Sequence, residues 1–285
     1  MLKLNPYARI AAGRRYSVGL TSTGSVLTAG IATSGECEVE KWTQVVAIAL
    51  GNVHTASNTG RSHTVLLRED GTVLAAGWND DGQCDVESWT NAVGVAAGWR
   101  RTLAVFSDGT ARAAGRHNEG ACNVGEWSEL VAVAAGDWHS VGLTSDGRAV
   151  AVGNNRRNQC EVSGWRDLRA ISAGYLHTVA LTSEGQVLAV GDRAAGVDDV
   201  PVWSDAVGIS AGSHHTVAVR ADGRVLAAGD NTHGQCDIAD WRDIVAISAG
   251  STHTLGLRAD GRVLATGNND DGQCDTAAWD LRPLD

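Results

Sequence analysis

Ile244-Val245-Ala246-Ile247-Ser248-Ala249, closed by Gly250, is a nearly continuous run of β-branched and small residues. Such a run suits a short strand buried on both faces, in a place where space is tight. His253-Thr254-Leu255-Gly256-Leu257-Arg258 then alternates as a second strand. Asp260-Gly261 supplies a tight hairpin turn, and Arg262-Val263-Leu264-Ala265-Thr266 forms a third strand. Asn268-Asn269-Asp270-Asp271-Gly272 is turn chemistry, and Gln273-Cys274-Asp275-Thr276 is predicted as a short outer fourth strand.

Outward from this copy the pattern recurs. A small residue followed by Gly returns at Gly13, Gly51, Gly98, Gly136, Gly174, Gly212 and Gly250, with a spacing of 38 residues everywhere except Gly51 to Gly98. Two further glycine series keep the same phase, and counting back from Gly71 places the extra residues at Asn52–Gly60. Seven repeats result, at about 4–41, 42–88, 89–126, 127–164, 165–202, 203–240 and 241–278. A lone unit of four short strands cannot bury both faces, so neighbours must stack on it. The expectation is one all-β domain spanning 1–285, a seven-bladed β-propeller of four-stranded antiparallel blades. A β-helix would have shorter coils and no need of hairpin turns. The first repeat has Leu4 where the others have Trp, and the tail Asp280–Asp285 is expected to pack there.

Composition agrees with a folded repeat protein. The 285 residues include 35 Gly but only 3 Pro, and 10 Trp beside a single Phe, a skew that copying of one motif produces. The net charge of −10 repels phosphate backbones, so nucleic-acid binding is not expected. Neither a signal-peptide core nor a membrane-length apolar run is present, so no membrane association is expected. The six cysteines then read as reduced thiols of a cytoplasmic protein.

The motif Ala-Gly-x-x-His-Thr-Val, Asp-Gly-x-Val-Leu-Ala-x-Gly, Asn-x-x-Gly-Gln stands at Ala211–Val217, Asp222–Gly229 and Asn231–Gln235. On this motif the chain closely resembles the regulator-of-chromosome-condensation repeat family, over nearly its whole length. The short blades are also similar to those of the bacterial propeller-type inhibitor of β-lactamases, which grips its target with one face of loops. The family's eukaryotic founder is a nucleotide-exchange factor for a small GTPase and docks on chromatin. This sequence lacks a long basic tail and has only the insertion Asn52–Gly60, so the resemblance does not carry the exchange activity over.

Several residues that look chemical fall on the template. Cys37, Cys84, Cys122, Cys160, Cys236 and Cys274 share one repeat position, with Asp198 in the seventh. Each belongs to a different blade, which excludes a shared metal or a disulfide and leaves a small buried thiol between blades. His63, His139, His177, His215 and His253 share another position, filled by Tyr16 and Arg101 elsewhere, and are expected to hold the strand connection. Trp42, Trp89, Trp127, Trp165, Trp203, Trp241 and Trp279 are expected as wedges between blades. Asn79–Gly82 and Asn269–Gly272 lack the bidentate Glu of a calcium loop and read as turns. No metal and no cofactor are expected.

Departures from the template mark the candidate site. In an up-and-down blade the first–second and third–fourth connections share one face. There the chain places Arg14, Arg15, Trp78, Trp99, Arg100, Arg116, His117, Trp138, Arg156, Arg157, Tyr175, Arg193 and His214, with the template position Arg101 beside them. Asp80, Asp81, Asp270 and Asp271 fall on repeats two and seven. Aromatic residues and Arg are enriched in interface hot spots. The leading expectation is therefore a non-catalytic protein-binding module whose partner carries an acidic patch. The alternative is an enzyme acting on an anionic small molecule at the mouth of the central channel, with His54, His214, Tyr16 and Tyr175 as acid–base candidates.

Overall fold

The apolar runs that precede each Ala-Gly step are strands, and all of them line one central channel of roughly 240 Å³. In the computed structural model, residues 9–31, 35–39, 41–51 and 62–282 are described. The inner strands are Ile10–Ala12, Val45–Leu50, Ala92–Gly98, Leu130–Ala135, Leu168–Ala173, Ala206–Ala211 and Ile244–Ala249. Each pairs antiparallel with a middle strand: Tyr16–Leu20, His63–Arg68, Arg101–Phe106, His139–Thr144, His177–Thr182, His215–Arg220 and His253–Arg258. These pair in turn with Val26–Gly30, Val73–Gly77, Ala111–Gly115, Ala149–Gly153, Val187–Gly191, Val225–Gly229 and Val263–Gly267. The result is seven three-stranded blades, numbered 1 to 7 in chain order.

The expected fourth strand is absent from the described residues, and the reason is local. After each outer strand the chain runs through successive turns whose N–H groups are used at short range. In blade 2, Cys84 N–H donates to Asn79 Oδ1 (2.6 Å), Val86 N–H to the Cys84 carbonyl (2.8 Å) and Trp89 N–H to the Val86 carbonyl (2.9 Å). Asn side chains of this kind compete with a sheet ladder for the backbone. In blade 5 the same region forms two single-turn 3-10 helices, Arg193–Ala195 and Val200–Val202.

Glycine at the channel end of the inner strands has a steric cause. A Cβ on Gly212 would lie 2.5 Å from the carbonyl oxygen of Gly250, and those on Gly98, Gly136, Gly174 and Gly250 would strike the carbonyl of the next blade's glycine in the same way. Real Cβ atoms do not come that close, so only glycine lets the blades converge on the axis.

The core is distributed between blades. Each hydrophobic cluster spans two neighbours: Val65, Leu67 and Val73 of blade 2 meet Ala92, Ala104 and Phe106 of blade 3 across Trp89. Trp203 and Trp241 sit in the same way between blades 5 and 6 and between blades 6 and 7. Of the cysteines, Cys37 packs against such a core, the one between blades 1 and 2, and none is fully buried as expected. They are half-buried within their own blades, where the thiols of Cys84, Cys122, Cys160, Cys236 and Cys274 donate to the carbonyls of Trp78, Arg116, Asn154, Asp230 and Asn268.

The template histidines do more than hold one strand connection: they tie each blade to the next. His63, His139, His177, His215 and His253 reach Thr102, Thr178, Thr216, Thr254 and Ser17 of the following blade through Nε2, at 2.8–3.1 Å. Tyr16 makes the equivalent tie from blade 1, donating to the His63 carbonyl (3.0 Å). Arg101 makes it from blade 3, donating to the carbonyls of Gly136 (2.7 Å) and His139 (2.8 Å).

Candidate functional site on the loop face

Inner-to-middle connections and the turns after the outer strands emerge together, because antiparallel pairing returns the chain to the same end of each blade. Their contact is direct. The Arg100 guanidinium of blade 3 lies 4.6 Å from the Trp78 ring of blade 2 and 4.4 Å from Trp99. Trp99 and Trp138 meet edge to face at 4.7 Å, with Arg116 about equally far from both rings (5.5 and 5.4 Å). The indole N–H of Trp138 donates to the Tyr175 hydroxyl, and Tyr175 meets His214 edge to face at 5.1 Å. Blades 2 to 6 thus share one interlocked arc of rings and guanidinium groups.

Charge within the arc is mostly balanced internally. Arg100 pairs with Asp81 (3.2 Å), Arg116 with Glu119, and Arg193 with Asp198 (3.3 Å). Arg15 of blade 1 grips Asp271 of blade 7 with two hydrogen bonds (2.7 and 2.5 Å), and that contact holds the Asp271 carboxyl below its ordinary range. Arg14 is half-buried beside Arg15, and burial followed by that like charge lowers its pKa. Arg156, Arg157 and His117 are exposed.

Two of the expected site residues lie inside the molecule instead. Arg101 is 1% exposed and committed to blade 4 carbonyls, so it is a structural tie rather than part of the binding surface. Tyr16 is fully buried, and burial pushes its phenol pKa up, which removes it as an acid–base group. Trp99, at 7% exposure, is the floor of the arc under Arg100, Arg116 and Trp138. His54 and the insertion Asn52–Gly60 lie outside the described residues. Trp78, Trp138, Tyr175 and His214 remain partly exposed.

Sequence reasoning missed Glu119, and it put Asp137 on the loop face without counting it among the site residues, although it is buried there. The Asp137 carboxylate follows burial as a cause of the raised Tyr175 pKa. The available signal was position: Asp81, Glu119 and Asp271 all stand four residues after the closing outer-strand glycine. The channel itself is lined by Ala, Val, Ile, Leu and Ser. Its serines are engaged, with Ser172, Ser210 and Ser248 accepting the N–H of Ala211, Ala249 and Ala12 from the next blade. Among the described residues there is no cluster of three metal-ligating side chains, and no helix is long and apolar enough to cross a membrane.

A profile of the regulator of chromosome condensation (RCC1) repeat matches residues 58–83, 130–159, 168–193, 206–235 and 244–273. Comparison with curated protein sequences finds no match. Among solved structures, Prp20p from Saccharomyces cerevisiae is similar with a TM-score of 0.66 at 18% identity, over 100% of this chain and 89% of that one. Human WBSCR16 gives 0.65 at 17% identity, over 89% and 87% of the two chains. The ectodomain of the receptor kinase CR4 from Physcomitrella patens gives 0.64 at 18% identity over 78% of this chain, which spans 64% of that ectodomain's length. At such identities the likeness concerns the fold alone. With the repeat matched in five blades and the same tie carried around all seven, the chain belongs to the regulator of chromosome condensation repeat family.

Proposed function

We propose that the protein is a non-catalytic binding module that docks another protein on its loop face. The observation that carries this reading is the arc from Trp78 to His214, in which rings and guanidinium groups hold one another in place. Rigid, partly exposed aromatic side chains lose little entropy on binding and exclude water well. Stacked cations add roughly 0.5–2 kcal/mol each to the rigidity of such a platform. Among similar folds, the structure of Prp20p was described with its binding to Gsp1p and histones, which supports a protein partner in kind, not in identity.

The test is affinity capture from lysate, followed by mass spectrometry, with wild type and Trp138→Ala/Tyr175→Ala. These two positions are chosen because truncating the buried Trp99 would disturb packing. A specific protein retained by wild type and lost with the variant supports the module. Equal capture by both proteins, with the circular dichroism unchanged, would sink it.

A further inference from the structure

We infer that Arg156 and Arg157 of blade 4 form the charged half of this site and take carboxylates from an Asp/Glu-rich segment of the partner. The inference rests on the protein-binding reading and adds the partner's chemistry.

The seven blades carry one template, and blade 4 reverses its charge at one place. Arg157 stands four residues after Gly153, where blades 2, 3 and 7 have Asp81, Glu119 and Asp271. Those three carboxylates neutralise Arg100, Arg116 and Arg15. Blade 4 has no carboxylate in its turn before Glu161, and Glu161 already accepts from Asn155 Nδ2 (2.6 Å). Only the backbone N–H groups of the two arginines are used: Arg156 donates to Asn154 Oδ1 and Arg157 to Gln159 Oε1, both at 2.9 Å. The turn is thereby fixed while both guanidinium groups face solvent without an ion-pair partner among the described residues.

Beneath the turn a buried donor is also left over. Gln159 is fully buried, and its Nε2 has no acceptor among the described residues. The equivalent Gln235 donates to Asp230 (3.0 Å) and Gln273 to Asn268 (2.6 Å). Gln83 of blade 2 leaves the same donor over, so what sets blade 4 apart is the charge reversal at Arg157 and not the buried amide. Arg157 also lies close enough to Tyr175 for its charge to act on the phenol, so the cations adjoin the Trp138–Tyr175 part of the arc.

Guanidinium groups bind carboxylates in a two-point geometry, and an exposed pair loses little hydration on doing so. A nucleic-acid strand fits less well. Its phosphates would track past Asp80 and Asp81, Asp192, Asp230 and Asp270 on a protein of net charge −10, whereas acidic side chains engage the pair locally.

The experiment is fluorescence anisotropy with a fluorescein-labelled decaglutamate peptide, and a fluorescein-labelled decathymidylate in parallel. Wild type is compared with Arg156→Gln/Arg157→Gln and with Arg220→Gln/Arg224→Gln, which removes the same charge at the opposite end of blade 6. The expected result is salt-sensitive peptide binding that weakens about tenfold in the blade 4 variant and less than about twofold in the control. Absence of peptide binding, equal weakening in both variants, or equally tight thymidylate binding lost with the same arginines would overturn the proposal. Its failure is separable from that of the parent reading. A lysate partner lost with Trp138→Ala/Tyr175→Ala yet retained by Arg156→Gln/Arg157→Gln keeps the module and discards the carboxylate site.

Discussion

The proton on each template histidine is fixed by its neighbour. Thr102 donates its only hydroxyl proton to the Gln83 carbonyl (2.7 Å), so it must accept from His63 Nε2, and the ring is neutral with the proton on that nitrogen. The same logic holds for Thr178, Thr216, Thr254 and Ser17. Burial pushes the pKa of His63 and His215 down to about 4, and of His139, His177 and His253 to about 3. The unfolded chain binds these protons near pH 6.5, so the stabilisation is complete above that value and is lost as pH falls from about 6.5 toward 4 for His63 and His215 and toward 3 for the other three. Each histidine contributes a slope of up to about 1.4 kcal/mol per pH unit in that window. Urea midpoints should therefore drop steeply between pH 6.5 and 4, and His177→Gln should flatten the slope by about one proton. A midpoint constant from pH 7 to 5 would contradict the neutral ring of ties. Arg101 offers a complementary test. Arg101→His restores the template opposite Ser140 and should be nearly neutral, whereas Arg101→Ala strands the Gly136 carbonyl, the His139 carbonyl still accepting from Gly136 N–H, and should cost about 1–3 kcal/mol in chemical denaturation.

At the scale of the element, the hairpin and the turn were readable to different depths. Strand triplets followed from the run Ile244–Ala249, the alternation after His253 and the Asp-Gly turn, because side-chain period and turn residues are local properties. Gln273–Thr276 was misread as a strand because the competing bonds come from Asn side chains five residues away, as in Cys274 N–H to Asn269 Oδ1 (2.7 Å). The arc was legible as a set of residues on one face, but not its charge balance, since Arg15 and Asp271 are 256 residues apart and meet only when the ring closes. Arg101 was placed on the surface although its alignment with the histidines already pointed inward. Another local feature was not visible in the pattern. The residue before the inner strand of blades 2 to 7 is left-handed, with φ of 56–63° at Gln44, Asn91, Glu129, Asp167, Asp205 and Asp243. Asn and Asp tolerate that region, while Glu gains nothing there. Glu129→Asn should accordingly stabilise the protein by about 0.5–1 kcal/mol, while Asn91→Glu should destabilise it similarly, as read by thermal unfolding.

For the whole molecule the decisive contact joins the two ends of the chain. Blade 7 meets blade 1 through His253 and Ser17, through Ser251 N–H and the Gly13 carbonyl (3.0 Å), and through Arg15 and Asp271. Among the described residues no donated strand is involved. The C-terminal Trp279 and Leu281 pack with Ile10, Ala12, Leu255 and Leu257, and a Cβ on Gly19 would touch both Trp279 and Leu281 just as one on Gly256 would touch Trp241 and Ile244. Leu281 N–H donates to the Gly261 carbonyl (2.8 Å) as Ile244 N–H does to that of Gly223 (3.0 Å). Leu281 thus takes beside Gly261 the place that Ile244 takes beside Gly223, and the tail forms a corner of blade 1. In a ring where each blade is held only by its neighbours, this corner is worth as much as an internal one. Leu281→Ala and Ile244→Ala should each cost about 2–4 kcal/mol, with hydrogen exchange quickening first in Tyr16–Leu20 and His253–Arg258 for the former. If Leu281→Ala costs less than about 0.5 kcal/mol while Ile244→Ala costs the full amount, the tail is decoration and closure rests on the polar ties alone.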